Sequence, residues 1–391
     1  MKPLRTALVG VGGMGASHRR ILYESDLFEL VAADERYLDR QAQAVAETRQ
    51  WGVPVYEDYW EMLDAHDDLD LVVIAAPHPW HGVYSIAALE RGMHVFVEKP
   101  VTVTVQEGLA LLDAIQQSGR LVGVHHQWTS TGATRALKEF ICAGGLGRLT
   151  QVTAVMKWYR SQEYFERNEW AGRRYVEKLP CWDGVLLNQG VHLINSALQM
   201  STRQPGHALP LRVQAEVYRI HDIQTEDLAC LRCDLEEGVL NIYATVCANE
   251  DYPVTVTIRG EKGEATWSAS EARVRLTDGT ELVFDDEPHG DDTHRNMAAC
   301  ILGLESDLYC PAEEALKATI TVNAAYLSAG RIRKLTAEEA GDVAALVDAA
   351  ASQGALFSEL TPAPRWAAAG EAIETADVTS FDGLQDDGEF A

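Results

Sequence analysis

The residues best suited to chemistry lie in three separate segments of the chain. A glycine-rich loop, Gly10-Val11-Gly12-Gly13-Met14-Gly15, ends the first apolar run, Lys99 stands in the tripeptide Glu98-Lys99-Pro100, and His192 follows Asn188 by four positions. Glycines allow a tight turn, and the backbone amides that open the next helix attract a pyrophosphate. A lysine and a histidine can move the proton of an alcohol. The combination predicts hydride transfer between a nucleotide cofactor and an alcohol.

Such a loop is informative only where it joins a strand to a helix, and the surrounding pattern predicts that context. The first 128 residues alternate short apolar runs with longer amphipathic ones, which is typical of an α/β domain with a doubly wound parallel sheet. The predicted strands and helices are, in chain order, residues 6–11, 17–24 (helix), 28–33, 69–76, 81–91 (helix), 94–97, 105–118 (helix) and 121–125. We therefore expect a nucleotide-binding Rossmann domain over residues 1–128.

The pattern changes beyond Gly132. A bridging helix at 133–143 precedes long β-rich runs, and helical patterns return at 294–304, 312–329 and 337–351. The β-rich runs are residues 149–158, 211–220, 228–246, 254–258 and 265–276. We expect an α+β domain with a mostly antiparallel sheet over residues 129–335. Residues 336–391 should form a C-terminal helix and then, from about Pro362, an acidic and poorly ordered tail.

The overall charge excludes several classes of partner. With 59 acidic and 33 basic residues, the net charge of -26 repels nucleic acid and anionic membrane surfaces, and the sequence contains no concentrated basic patch. Every apolar stretch is too short for a spanning helix or a signal-peptide core, so a cytoplasmic location is expected. The seven cysteines should be free thiols. Cys230 and Cys233 form a C-x-x-C in a strand-like run, where such residues face opposite sides of a sheet, and we expect packing rather than redox or zinc chemistry.

The motifs together resemble the glucose-fructose oxidoreductase, inositol dehydrogenase and rhizopine-catabolism family, shortened to Gfo/Idh/MocA, over roughly residues 4–335. In this resemblance Glu98-Lys99-Pro100 supplies the catalytic lysine, and Ala76-Pro77-His78-Pro79-Trp80-His81 is the loop beside the nicotinamide. Residues 184–192 correspond to a G-x-L-x-D-x-G-x-H segment. The resemblance implies a Rossmann domain followed by an open-faced sheet, with chains pairing through the open faces into homodimers or homotetramers.

Three positions depart from the pattern of many relatives. Asn188 and Asn195 stand where aspartates are customary, and residues 124–128 replace an Asn-x-Arg-Phe pattern with Val-His-His-Gln-Trp. An amide cannot relay a proton as a carboxylate can, so Asn188 should orient the substrate while Lys99 and His192 handle protons. The replaced pattern changes the wall of the substrate pocket.

Asp34, at the end of the second predicted strand, favours NAD over NADP. Its carboxylate can accept hydrogen bonds from the adenosine ribose hydroxyls, and beside Glu35 it would repel a 2'-phosphate. Arg36 could instead embrace that phosphate, and a solvated turn would leave all three charges indifferent to the cofactor. The predicted cofactor-binding residues are Gly10, Gly12, Gly13, Met14, Gly15, Asp34, Arg36, Ala76, Pro77, His78, His81, Glu98, Lys99 and His126.

Aromatic and basic residues between Lys157 and Trp182 suggest a carbohydrate platform. Aromatic faces cover the C–H surfaces of pyranose rings, and arginines bind hydroxyls, carboxylates or phosphates. Oligomer contact or loop packing would explain the same residues equally well. The predicted substrate-binding residues are Lys99, His126, Trp158, Arg160, Trp170, Arg174, Tyr175, Asn188 and His192. His125, His126 and His294 could line the same cleft, but we expect no metal there, because no carboxylate or cysteine falls at ligand spacing.

These observations predict an NAD-dependent dehydrogenase or reductase acting on a secondary ring hydroxyl of a sugar, glycoside or cyclitol. Lys99, with His192, would move the hydroxyl proton, and Asn188 would fix the ring. Two alternatives stay open. One is an NAD-dependent glycoside-cleaving enzyme that oxidises its sugar only transiently, and the other is a non-catalytic sensor that binds NAD on the same fold.

Overall fold

The computed structural model describes residues 2–285 and 292–384, and these divide into two compact units. The first unit contains a six-stranded parallel sheet in the order β3-β2-β1-β4-β5-β6, which confirms the predicted doubly wound fold. Its elements are β1 (Leu4–Val9), α1 (Met14–Glu24), β2 (Phe28–Asp34), α2 (Ala42–Gln50), β3 (Val55–Tyr56), α3 (Tyr59–Ala65), β4 (Leu71–Ile74), α4 (His81–Glu90), β5 (His94–Glu98), α5 (Val105–Ser118) and β6 (Val122–His125). The sequence pattern missed α2, β3 and α3, since β3 has only two half-buried residues and carries no period-2 signal.

The parallel sheet gathers the predicted chemistry at one edge. The glycine loop follows β1, Asp34 ends β2 and Lys99 follows β5, and the carboxyl ends of parallel strands lie at the same edge. Helix α9 (Asp292–Ile301) also belongs to this unit, because its Met297 and Ala298 pack into the same core as Phe96. The sequence had placed this helix in the second domain. Its contacts with the first unit join segments that lie far apart in the chain.

The second unit contains a larger sheet in the order β16-β15-β14-β13-β7-β12-β11-β10-β17, with β18 also paired to β10. Neighbouring strands are antiparallel except for β12 with β7 and β10 with β17, so the mostly antiparallel prediction is confirmed. Its strands are β7 (Leu149–Lys157), β10 (Arg212–Arg219), β11 (Leu228–Asp234), β12 (Val239–Thr245), β13 (Thr255–Gly260), β14 (Gly263–Trp267), β15 (Glu271–Leu276), β16 (Glu281–Asp285), β17 (Arg333–Lys334) and β18 (Ile373–Glu374), beside a hairpin of β8 (Tyr175–Val176) and β9 (Leu179–Pro180). The helices are α6 (Gly132–Cys142), α7 (Gln162–Phe165), α8 (Val191–Met200), α10 (Ala312–Ala329), α11 (Ala337–Ala340) and α12 (Val343–Gln353).

The expected open face of this sheet is covered over its central strands. Val347 and Phe357 pack with Tyr218, Cys230 and Tyr243 in one buried cluster, formed by α12, the segment after it and one face of β10 to β12. The prediction of an open face is therefore wrong for these strands, because α12 and the segment after it cover that face. The single predicted helix at 337–351 is two helices, because Gly341 has a positive φ of 61° and Asp342 caps α12.

The predicted tail is also ordered over its described part. Ile373 pairs with Val213 in the sheet, and Val378 and Phe381 are buried in the core of the second unit. The prediction of a poorly ordered segment is wrong as far as residue 384, because scattered apolar residues find sheet and core partners that composition does not reveal. Residues 385–391 lie outside the described part. Within the described ranges, no helix is long and apolar enough to cross a membrane.

Candidate cofactor-binding and catalytic site

The glycine loop brings the backbone unusually close to its neighbours. Gly10 and Gly13 have positive φ angles of 83° and 53°, and Met14 begins α1 directly after the loop. A side chain at Gly15 would overlap the carbonyl oxygen of Gly10, and one at Gly10 would meet the carbonyl of Ala75. Only glycine permits this turn, which leaves the amides at the start of α1 available to an anion.

Asp34 is a buried carboxylate with an unsatisfied hydrogen-bond acceptor. The residue is 3% exposed, and its Oδ2 atom has no hydrogen-bond partner among the described residues. Burial, aided by the charge of Glu35, raises the pKa of Asp34 to about 7. This is not a solvated turn, and ribose hydroxyls would satisfy the orphaned oxygen. The glycine cradle and Asp34 therefore fit a dinucleotide.

Glu35 and Arg36 have roles that the sequence did not separate. Glu35 is buried and accepts hydrogen bonds from the backbone amides of Val11, at 3.1 Å, and Tyr37, at 3.0 Å, so it fixes the glycine loop against β2. Arg36 is exposed, and its guanidinium lies over the ring of Trp80 at 4.6 Å from the centroid. The loop-fixing role of Glu35 depends on the pairing of β1 with β2 and leaves no local motif.

The loop after β4 is tied to the Glu-Lys-Pro segment by His81. The two ring nitrogens of His81 lie 2.6 Å from the carbonyl oxygen of Pro100 and 2.7 Å from that of Ala76. His81 is fully buried, and burial lowers its pKa. It therefore positions the loop rather than reaching a ligand directly. Ala76 and Pro77 are half-buried, and His78 is buried beside them.

Glu98 is the centre of a buried network of histidines. Its Oε1 atom lies 2.9 Å from Nε2 of His18 and 2.7 Å from Nδ1 of His125, and Nδ1 of His18 lies 2.8 Å from Nε2 of His294. Burial alone would raise the pKa of Glu98, but the contacts with His125 and His18 hold that pKa well below its ordinary value. Burial lowers the pKa of His18, and lowers that of His294 well below its usual range. The network holds an ionised carboxylate in a buried position.

The network places a carboxylate beside the predicted cleft histidines. The sequence shows no carboxylate at ligand spacing from His125, His126 and His294, but folding brings Glu98 and His18 beside His125. Both histidines contact the same oxygen of Glu98, at 2.9 and 2.7 Å, and we assign these contacts as hydrogen bonds. His126 directly follows β6 and is 1% exposed.

Lys99 leaves the end of β5 as a half-buried residue. Its backbone amide donates to Oε2 of Glu98 at 3.1 Å, and the peptide bond to Pro100 is cis. The same carboxylate therefore binds two histidines through one oxygen and the Lys99 backbone through the other. The geometry connects the position of the lysine to the buried network.

The second unit carries Asn188 and His192. Helix α8 begins at Val191, so Asn188 lies in the turn before the helix and His192 lies in its first turn. The amide of Asn188 donates to Oδ1 of Asp183 at 2.7 Å, and Oδ2 of Asp183 accepts from the backbone of Gly172 at 2.8 Å. His192 is 8% exposed, with its ring centroid 5.1 Å from that of Trp128. Asp183 thus supplies a carboxylate that the sequence argument did not identify.

The residues of the predicted carbohydrate platform differ in how far they are buried. Arg160 lies over Trp158 and pairs with Asp251, while Tyr175 is exposed. Trp170 is half-buried, with Arg167 over its ring. Arg174 is 5% exposed, donates to the carbonyl of Gln224 and lies over Trp182, so it packs within the unit. We therefore assign Arg174 to loop packing, the alternative to substrate binding that the sequence leaves open.

Comparison with protein families places these features in a known group. The model described as "Oxidoreductase family, NAD-binding Rossmann fold" matches residues 4–126, and that of the "GFO/IDH/MocA C-terminal domain" matches residues 134–266. The chain belongs to the Gfo/Idh/MocA family. Its first unit is accordingly an NAD-binding Rossmann domain, in agreement with the predicted cofactor.

Individual relatives show how far this likeness extends. A D-glucoside 3-dehydrogenase of Escherichia coli is 30% identical over 50% of this chain and 53% of its own length. An alpha-N-acetylgalactosaminidase of Shewanella oneidensis is 30% identical over 30% of this chain and 27% of its own length. The WlbA dehydrogenase of Bordetella pertussis, crystallised with NADH and UDP-GlcNAcA, has a TM-score of 0.70 at 23% identity, covering 84% of this chain and 96% of that one. The chain thus spans about half or less of these two curated relatives, and the solved structure shows the shared fold.

Proposed function

We propose that the protein is an NAD-dependent oxidoreductase that interconverts a secondary ring hydroxyl and a ketone on a sugar, glycoside or cyclitol. The observation that carries the proposal is the placement of Lys99 directly after β5, at the sheet edge that also carries the glycine cradle and Asp34. NAD, when bound, supplies the hydride acceptor or donor at this edge. The buried, orphaned carboxylate of Asp34 supports NAD over NADP.

The chain's own residues supply proton transfer and orientation. Lys99 takes the hydroxyl proton during oxidation and returns it during reduction, and we assign His192 as its partner in proton transfer. Asn188 orients the substrate ring through its amide oxygen, since its Nδ2 already donates to Asp183. Arg160, Trp158 and Trp170 are proposed to contact the remainder of the substrate.

The direct test is NADH formation with NAD and a panel of pyranoses, glycosides, sugar acids, nucleotide sugars and inositols. Replacing Lys99 with methionine keeps the length of the side chain and removes its proton chemistry. We expect kcat to fall by about 10²- to 10⁴-fold. Unchanged turnover by the K99M variant would refute the assignment of Lys99.

Glycoside cleavage is the second candidate, favoured by the likeness to the alpha-N-acetylgalactosaminidase. Such an enzyme returns the hydride to its sugar, so free sugar appears without net NADH. Measuring the released sugar and NADH in the same reaction separates the two candidates. Stoichiometric NADH supports the dehydrogenase, whereas sugar release without NADH supports cleavage.

A further inference from the structure

A second cluster of polar side chains lies at one edge of the larger sheet and contains none of the residues assigned above. His221 follows β10, Asp227 immediately precedes β11, and Cys247 follows β12. Since β10, β11 and β12 are consecutive antiparallel neighbours, the end of β10, the start of β11 and the end of β12 lie at the same edge. Sheet topology therefore brings together three residues that form no motif in the sequence.

The three side chains are spaced as ligands of a small metal ion. The Nδ1 atom of His221 lies 2.9 Å from Oδ2 of Asp227 and 3.5 Å from Sγ of Cys247, and the three atoms lie within 4.8 Å of one another. Ordinary zinc bond lengths in a tetrahedral arrangement place sulfur and nitrogen about 3.5 Å apart, and nitrogen and oxygen about 3.3 Å apart. The Cys247–His221 pair already has this spacing, and the His221–Asp227 pair needs to open by only a few tenths of an ångström.

Asp227 is held as a rigid ligand. Its side chain is completely buried, and its two oxygens accept the backbone amides of Ile220, at 2.8 and 3.0 Å, and His221, at 2.8 Å. Outer contacts of this kind orient the carboxylate ligands of metals. The side chain of His221 is 17% exposed, so an ion can approach from its side while the carboxylate remains fixed.

Two other interpretations fit this geometry less well. A thiol nucleophile would need a ring nitrogen able to accept its proton, but the nitrogen that faces Cys247 is the one that donates to Asp227. A plain hydrogen-bonded turn accounts for Asp227 and its backbone contacts, and the Cys247 thiol also lies 3.8 Å from the carbonyl oxygen of Asp227, but such a turn does not require a sulfur atom beside the histidine. A soft sulfur, an imidazole and a carboxylate together are the donor set that zinc accepts.

We propose that His221, Asp227 and Cys247 form a three-ligand site for Zn²⁺ or a similar divalent transition ion, with water as the fourth ligand. On binding, the thiol proton of Cys247 is released to solvent and the His221 proton moves from Nδ1 to Nε2, so one proton leaves for each ion bound. The site lies beside the carbohydrate platform, because Tyr159 pairs with Cys247 and the amide of Asp222 donates to Gln162 at 3.0 Å. The bound ion would join these loops.

The test titrates Co²⁺ into the reduced full-length protein after removal of metals with a chelator. We expect one Co²⁺ per chain, an absorption band from thiolate-to-cobalt charge transfer, and displacement by Zn²⁺. The C247S variant should lose the band, and H221A should weaken affinity by more than the roughly 10- to 100-fold that the loss of an outer contact costs. The control C142S alters an exposed cysteine and should bind as the wild type does.

A second readout keeps the test independent of catalysis and of folding defects. Zn²⁺ that binds only the folded state should raise the unfolding temperature of the wild type and of C142S, but not that of C247S. Absence of the thiolate band in the wild type would overturn the proposal, as would a band that survives in C247S. Cobalt binding that is lost in H18Q but retained in H221A would place the ion at the Glu98 network and would also overturn it.

Discussion

The Nδ1 atom of His125 lies 2.7 Å from Oε1 of Glu98, the carboxylate that directly precedes Lys99. Because a carboxylate only accepts hydrogen bonds, His125 carries its proton on Nδ1 and His18 carries one on Nε2. His18 then accepts from His294 through its other nitrogen. One oxygen of Glu98 is thereby fixed by two histidines, while the other binds the Lys99 amide at 3.1 Å.

This relationship predicts that His125 positions the proposed catalytic lysine. In H125A, Glu98 loses a donor and its carboxylate can rotate, so kcat should fall by about 10- to 100-fold, as small misplacements of reacting groups do. In H125N the amide nitrogen occupies nearly the place of Nδ1 and should restore most of the activity. Steady-state kinetics of both variants, with the cognate substrate from the panel, make the comparison.

The control for this pair is NAD affinity measured by fluorescence titration, which should change little in either variant. The separate values of kcat and KM give a further readout, because a displaced Lys99 should lower kcat more than it raises KM. Equal activities of H125A and H125N would contradict the positioning role and leave His125 a packing residue.

Asp34 predicts a pH dependence of NAD binding. Its pKa of about 7 in the free protein means that the carboxylate is largely protonated at pH 6 and ionised at pH 8. Only the ionised form accepts both ribose hydroxyls, so NAD affinity should rise about tenfold between pH 6 and pH 8. Calorimetric titration at several pH values measures this change, and D34N should bind weakly with little pH dependence. A flat profile in the wild type would contradict the assignment.

The same group predicts the direction of a stability change. Its folded pKa lies above the usual value near 3.8, so the native state holds more protons than the unfolded state between about pH 4 and pH 7. The contribution of Asp34 to the free energy of unfolding therefore falls as pH rises through this window. In D34N this contribution is absent, so urea unfolding of the two proteins should differ most above pH 7. A difference that does not vary with pH would contradict the shifted pKa.

We predict that Asp183 affects substrate binding as strongly as Asn188, the residue whose amide it orients. It accepts from Asn188 and from the backbone of Gly172, so D183A removes one hydrogen-bond partner of the Asn188 side chain. We expect KM for the substrate to rise with little change in NAD affinity. The variant N188D places a carboxylate beside Asp183. Its KM for the substrate should rise further near neutral pH, since two close carboxylates repel each other. Wild-type KM in D183A would leave Asp183 a structural residue.

The sequence predicted what depends on local pattern. The glycine loop, Asp34 and Lys99 follow from short motifs at strand ends, and the strand–helix alternation places them at one edge. Glu35, His18 and Asp183 escaped prediction because their roles depend on contacts across the sheet or between distant segments. Cys230 and Cys233 were predicted correctly, since strand alternation alone places them in clusters on opposite faces. The helical period of α12 reveals an apolar face but does not identify the sheet surface that it covers.

The final prediction concerns the segment after α12, which covers one face of the larger sheet. Phe357 is completely buried and its ring lies 6.3 Å from that of Tyr218 and 6.4 Å from that of Tyr243, which anchors the segment after α12 on the sheet. F357A should lower the free energy of unfolding by about 3–5 kcal/mol, because it removes a large core side chain. The control L211A alters a side chain that is 50% exposed and should cost less than about 0.5 kcal/mol. Urea unfolding followed by tryptophan fluorescence measures both, and equal stabilities would show that the segment does not hold the face. Sedimentation at rising concentration adds a second measure, since exposing this apolar face in F357A should increase self-association relative to the wild type.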